Sequence, residues 1–327
     1  MTEPQRDITY ILHWGDLTAT VRMLAAAKTI RDTYRRDRII LLTTPDFESL
    51  LKHCPWFNAI ETDACPDTRP MAGLRDKRLK LAKPARVFDL VGSADSRKIK
   101  GNFRFAKTKW HEVAPVADAG VHPVDAAAGV LNGVLGFEPT RFPLGGAPAP
   151  DASWVDFLAK QSRMLDPEYF GLNGPFALLA PAGDSVKPAL RWPKEKWAAL
   201  AHELLQSGIT PALIGGPDTR DVGRHVSQVT PGARDLTGKA KLPQLAGLAR
   251  RTRFVFSEDT PLIHLLTASG APALALYGNV DDPAPLAPRG PSPVILMHAT
   301  TLAQVTPEEA IAAMRFAGGF ADAPAAA

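Results

Sequence analysis

Three short stretches place reactive residue types at the ends of apolar runs. In Ser257–His264, SEDTPLIH, the carboxylate of Asp259 and the hydroxyl of Thr260 precede Pro261, and His264 follows one turn later. In Pro181–Pro193, PAGDSVKPALRWP, Gly183 permits close backbone approach, Ser185 offers a hydroxyl, and Lys187 and Arg191 bring positive charge. That loop leads into a helix N-terminus, whose field favours anions, and the combination suits a pyrophosphate. In HWGD, Gly15 and Asp16 follow the first apolar run, and the Asp16 carboxylate could accept a proton from a hydroxyl group. Each stretch also has a purely structural explanation. Asp16 could cap a helix, the Pro181–Pro193 segment could be a polar loop, Asp259 and Thr260 could form another cap, and His264 could be a buried, hydrogen-bonded imidazole.

The elements that must position these residues alternate twice along the chain. In the first half, Ile8–Trp14, Arg38–Thr43 and Ala85–Gly92 read as strands, the run from Leu17 to Tyr34 as a helix, and Pro45–Lys52 and Pro123–Leu135 as further helices. The second series starts with the strand Phe176–Pro181. Its first helix carries Trp197, Leu200, Ala201, Leu204 and Leu205 as one apolar stripe, with Pro193 in its first turn and Gly208 at its end. The strand Thr210–Gly216, a helix from Asp218 to Gln228, a helix in KLPQLAGLARRT, the strand Phe254–Ser257, a helix of about two turns and the strand Ala273–Tyr277 follow. Gly278-Asn279 then makes a turn on the same strand-end edge as Asp259, the edge over which parallel sheets bind ligands. Two alternating sets predict an α/β protein of two Rossmann-like domains with parallel sheets facing across a cleft. The expected division is 1–150, a connection over 151–172 that begins in the Pro- and Gly-rich Phe142–Ser153 run, a second domain over 173–317, and a disordered Ala-rich tail over 318–327.

The chain of 327 residues is 45% hydrophobic and 22% charged, an ordinary globular composition too long for one hydrophobic core. No run approaches the roughly 18 apolar residues of a membrane span, and the N-terminus lacks the pattern of a secretory signal, so a cytoplasmic location is expected. The two cysteines, Cys54 and Cys65, are read as reduced thiols. No Asp-x-Asp, Cys/His cluster or G-x-S-x-G occurs, so neither a metal site nor a serine nucleophile is indicated. The net charge of +4 hides an uneven distribution: Arg75–Lys109 holds twelve Lys or Arg against three Asp. Such a patch suits a phosphorylated substrate, an acidic membrane surface or nucleic acid. No nucleic-acid-binding motif accompanies it, and no nucleic-acid partner is expected.

Taken in order, GDLTATVRMLAAAKTIRDTY, FDLVGS, PAGDSVKPALRWPKEKWAALAHELLQSG, ALIGGPDTRD, DLTGKAKLPQLAGLARRT and SEDTPLIHLLTASGAPALALYGNVDDP resemble glycosyltransferase family 9, the ADP-heptose:lipopolysaccharide heptosyltransferases. The similarity runs from about Ile8 to Ala313. It implies the GT-B fold, with the acceptor held by the first domain and the donor mainly by the second. It also implies inverting transfer of heptose from ADP-heptose to the lipopolysaccharide inner core, without a metal or other cofactor. On this resemblance Asp16 is the general base, and Gly183, Ser185, Lys187, Arg191, Asp259, Thr260, His264 and Gly278 bind the donor. Gly15, Arg97, Lys98 and Lys100 face an anionic glycolipid acceptor, with peripheral contact at the inner membrane face.

This chain departs from the family pattern at several positions. Pro261 stands where the family has Gly after Asp-Thr, which removes a backbone N–H. Leu190 stands where Lys usually precedes Arg-Trp-Pro, Arg22 where many members have Pro, and Asn279-Val280 where Pro-Thr is common. The alternatives are transfer from another nucleotide sugar, a nucleotide-sugar epimerase of the same fold, and a member that binds donor without turnover.

Overall fold

The computed structural model describes residues 6–62, 79–80, 82–101, 103, 106–114, 120–137, 147–156 and 166–316. The chain divides into two compact units, Met1–Pro150 and Asp151–Ala327.

The first unit is built on β1 (Ile8–Leu12), β2 (Arg38–Leu42), β3 (Ala59–Glu61), β4 (Arg86–Asp89) and β5 (Lys109–Glu112), ordered β3-β2-β1-β4-β5 and parallel throughout. Its helices are α1 (Leu17–Thr33), α2 (Glu48–Leu51), α3 (Ala94–Gly101) and α4 (Pro123–Leu135). Strand β1 is central and buried on both faces, which is why ITYIL reads as an unbroken apolar run. Tyr10, Leu12, Ile40, Leu42, Val87, Ile99 and Phe103 form part of the core.

The second unit contains β6 (Phe176–Ala180), β7 (Thr210–Leu213), β8 (Arg234–Asp235), β9 (Phe254–Glu258), β10 (Ala273–Gly278) and β11 (Val294–Ala299), ordered β11-β10-β9-β6-β7-β8 and again parallel. Its helices are α5 (Lys194–Gln206), α6 (Arg220–Val229), α7 (Leu242–Ala249), α8 (Pro261–Ala268) and α9 (Pro307–Phe316). Trp192, Trp197 and Phe256 pack mutually with ring centroids 5.0–5.2 Å apart, fixing the start of α5 against β9. Ala152 and Val155 are fully buried, and the Ala152 N–H donates to the Ala268 carbonyl at 2.8 Å, so part of the expected connection packs into the second unit.

Most strands are shorter than their apolar runs. Strand β1 stops at Leu12 because His13–Gly15 turn toward α1, and β7 stops at Leu213 ahead of Gly215, whose φ is 152°. Helix α5 begins one residue beyond Pro193, which occupies the N-cap, and Gly208, at φ 74°, ends it. The expected Pro45–Lys52 and Asp218–Gln228 helices each open with a 3₁₀ turn, Pro45–Phe47 and Pro217–Thr219. Cys54 is a buried, reduced cysteine. Cys65, Arg75, Lys77, Arg78, Arg104, residues 138–146 and the tail lie outside the described residues.

Candidate active site

In the first unit, the end of β1 and the start of α1 place Asp16. It is the N-cap of α1, where its Oδ1 accepts the Ala19 N–H at 2.8 Å. Its Oδ2 has no hydrogen-bond partner among the described residues, so the capping role leaves one carboxylate oxygen available. Gly15 is required by close approach, since a Cβ there would lie 2.8 Å from the Ala19 Cβ. Behind it, His13 is 5% exposed and its Nε2 lies 3.3 Å from the Thr20 Oγ1. Burial drives the His13 imidazole down to about 4, and the nearby Asp16 charge opposes that only in part. The ring is therefore neutral at pH 7. His13, Asp16, Arg22, Met23, Leu90 and Val113 are among the walls of a cavity of about 230 Å³.

The basic stretch is partly spent on structure. Arg86 pairs with Asp37 and with Asp7 and stacks over the Tyr34 ring at 4.2 Å. On α3, Arg97 and Lys100 line a second cavity of about 570 Å³ with Phe103 and Trp110, and Lys100 lies 3.6 Å from Glu112. Lys98 is not among the residues lining it and pairs with Asp95 at 2.9 Å.

In the second unit, the strand ends of β6, β9 and β10 meet the Pro181–Pro193 loop. Arg191 lines a cavity of about 310 Å³ with Ala182, Asp184, Trp192, Lys194 and Glu258, and its Nη1 donates to Asp184 Oδ1 at 2.7 Å. Ser185 and Lys187 are exposed on the same loop but do not line that cavity. The backbone of Gly183 is approached by the Asp218 carboxylate, so the space its missing side chain leaves is filled by the protein. Asp259 is exposed just past β9, its N–H donating to the Leu276 carbonyl at 2.9 Å. Thr260 is the N-cap of α8 by position, and its hydroxyl lies 3.2 Å from that of Ser257 rather than on a helix amide. His264 is buried within α8 at 4% exposure. Gly278 closes β10, and a Cβ there would sit 2.9 Å from Leu190 Cδ2. Thus Leu190 lays an apolar side chain against Gly278. Asn279 beyond it has φ 55°.

Sequence reasoning missed Glu258. It is 1% exposed at the end of β9, where Oε2 accepts the Ala182 N–H and Oε1 accepts the Trp192 N–H. Burial pushes its carboxyl up to about 7, against the pull of both backbone hydrogen bonds and the Arg191 charge. The signal was present in FVFSE, since a carboxylate closing an otherwise apolar central strand must find buried partners.

Among the described residues no cluster of His, Cys, Asp and Glu suits a metal ion, and no helix is long and apolar enough to cross a membrane.

Residues 138–309, which contain the whole second-unit site, match the model of glycosyltransferase family 9 (heptosyltransferase). The chain belongs to this family. Lipooligosaccharide heptosyltransferase 2 of Haemophilus influenzae is 30% identical over 136 residues, which is 40% of this chain and 37% of that protein's length. The fold likeness is far wider. A family 9 glycosyltransferase from Veillonella parvula superposes with a TM-score of 0.77 at 16% identity, covering 97% of this chain and 98% of that one. The E. coli heptosyltransferase WaaC with ADP gives 0.73 at 17% identity, covering 95% and 99%. The two parallel-sheet units are thus those of the GT-B class, and the family is one of glycosyltransferase enzymes.

Proposed function

We propose that the protein is an inverting heptosyltransferase that moves heptose from ADP-heptose to a hydroxyl of an anionic lipopolysaccharide-type acceptor. The observation that carries the reading is the family match over 138–309, which spans both the Pro181–Pro193 loop and SEDTPLIH. The ADP in the WaaC structure supports the choice of nucleotide.

In this reading Asp16 Oδ2 takes the proton of the acceptor hydroxyl while Oδ1 stays fixed on the α1 amide. The acceptor oxygen attacks the anomeric carbon from the side opposite the diphosphate, the bond from that carbon to the leaving oxygen breaks, and ADP departs with the electron pair. Negative charge grows on the diphosphate, so cationic groups held in place act where they are most effective. Arg191 in the cavity wall and Lys187 on the exposed loop are the proposed cations, with Ser185, Asp259, Thr260 and His264 shaping the donor site. No metal is assigned a role. Arg97 and Lys100, beside Trp110, are the proposed contacts for an acidic acceptor at the inner membrane face.

Calorimetric titration with ADP, UDP and GDP tests the donor half. ADP is expected to bind most tightly and to weaken in Asp259→Ala; preference for UDP or GDP would overturn the assignment of the donor. A second reading, a member that holds the nucleotide sugar without turning it over, is favoured by Leu190 against Gly278. It predicts donor binding with no transfer to any acceptor.

A further inference from the structure

The Pro181–Pro193 loop is held at both ends by one side chain. Ala182 lies two residues beyond β6 and Trp192 two residues before α5, and the Glu258 carboxylate accepts one backbone N–H from each. Between those anchors lie Lys187 and Arg191, the cations that the donor reading places on the leaving diphosphate, and Ser185, which it places in the donor site. Three other backbone bonds of the loop are local, Val186 to Gly183, Leu190 to Lys187 and Arg191 to Pro188. Asp184 donates to the Asp218 carbonyl beyond β7 and the Trp192 indole to the Val305 carbonyl, so among the described residues Glu258 is the one group that joins the two ends to each other. A buried carboxylate is a costly way to hold two amides, because desolvating the charge offsets much of what its hydrogen bonds return. Glu258 also opens onto the same cavity as Arg191.

We propose that Glu258 is a positioning residue of the donor site, fixing the span between Ala182 and Trp192 so that Arg191 and its neighbours meet the diphosphate in one geometry. This role rests on the donor reading above. Only an ionised carboxylate presents two acceptor oxygens at that spacing. Glutamine keeps one acceptor and sets its amide donor against the other N–H, while aspartate is too short to reach both. Protonation of Glu258 likewise puts an O–H against one amide and frees one end of the span. With its carboxyl near 7, the hold loosens as pH falls through neutrality. The other charged groups around this cavity are Asp184, Arg191, Lys194 and Asp221.

The test combines amide hydrogen exchange of the unliganded protein with calorimetric titration of ADP into the wild type, Glu258→Gln and Glu258→Asp, from pH 5.5 to 8.5. The expected result is protected Ala182 and Trp192 amides in the wild type and faster exchange of at least one of them in each variant, while β6 stays protected. ADP affinity should fall about tenfold in Glu258→Gln, the scale set by one buried N–H losing its acceptor. The wild-type fall in affinity toward acid pH should flatten in the same variant. If Glu258→Gln does not fold, the wild type alone remains decisive, because exchange at Ala182 and Trp192 must rise together with ADP dissociation below neutrality. Equal protection in wild type and variant, or unchanged ADP affinity in a variant whose amides have loosened, overturns the role of Glu258 alone. A wild type that binds no ADP overturns the donor reading, and this role with it.

Discussion

Asp16 both caps α1 and, in the proposed mechanism, accepts the acceptor proton, and two substitutions separate these functions. Asn caps a helix about as well as Asp, so Asp16→Asn should keep the Ala19 N–H satisfied and change stability by only a few tenths of a kcal/mol. Asp16→Ala removes the cap and should cost about 1 kcal/mol. Both variants lack the base, and loss of a positioned general base lowers turnover by roughly 10²–10⁴-fold. A thermal melt should therefore rank wild type with Asp16→Asn above Asp16→Ala, whereas the transfer rate should drop equally in both variants. Donor affinity, measured by calorimetry, should be the same in all three. An unimpaired rate in Asp16→Asn would refute the base assignment; a rate that tracks helix stability would reduce Asp16 to its cap.

Several other substitutions have expected outcomes. The buried His13 titrates near 4 when folded against 6.5 in the open chain, so stability present above 6.5 is lost as pH falls through 4, by about 3 kcal/mol. A pH series of chemical melts should show that loss in the wild type and a shallower one in His13→Gln. Glu258 has the opposite sign: its contribution is complete below 4.5 and is lost as pH rises through about 7, and Glu258→Gln should remove that slope. A Cβ on Gly290 would collide with the Thr267 backbone carbonyl, so Gly290→Ala should destabilise by about 1–3 kcal/mol, whereas Gly133→Ala, facing open space in α4, should stabilise by about 0.5–1 kcal/mol. Leu190→Lys puts a cation beside Gly278 and should tighten ADP by roughly tenfold, as a charge-assisted hydrogen bond would. Unaltered affinity there would mean that the diphosphate does not reach this strand end.

The alternation of elements was legible because the central strands are buried on both faces, so that ITYIL and FALLA carry continuous apolar runs. The elements that escaped reading include edge strands: KWHE in β5 and the two-residue β8 are polar and partly exposed, and have no apolar period to detect. Pro123–Leu135 was readable to the residue, with Pro at its first position and Gly136 in the left-handed conformation after its end. Asp16 and Arg191 were legible as candidates because they lie in strand-to-helix loops, where parallel sheets present polar groups. Glu258 was not, since its partners lie 66 and 76 residues away in sequence and beside Asp259 it reads as one more acid before a helix. The basic run was legible as charge but not as function, because Arg86 is consumed by Asp7 and Asp37 while Arg97 and Lys100 line a cavity.

Heptosyl transfer by this protein is tested most directly in a reaction with ADP-heptose and a heptose-free lipopolysaccharide core, read by mass spectrometry of the acceptor, with Asp16→Asn in parallel and with a chelator present in one arm. A mass gain of one heptosyl residue and equimolar ADP is expected, undiminished by the chelator and absent in the variant. Donor that binds but leaves the acceptor mass unchanged, or transfer that proceeds as well from UDP- or GDP-sugars, would contradict it.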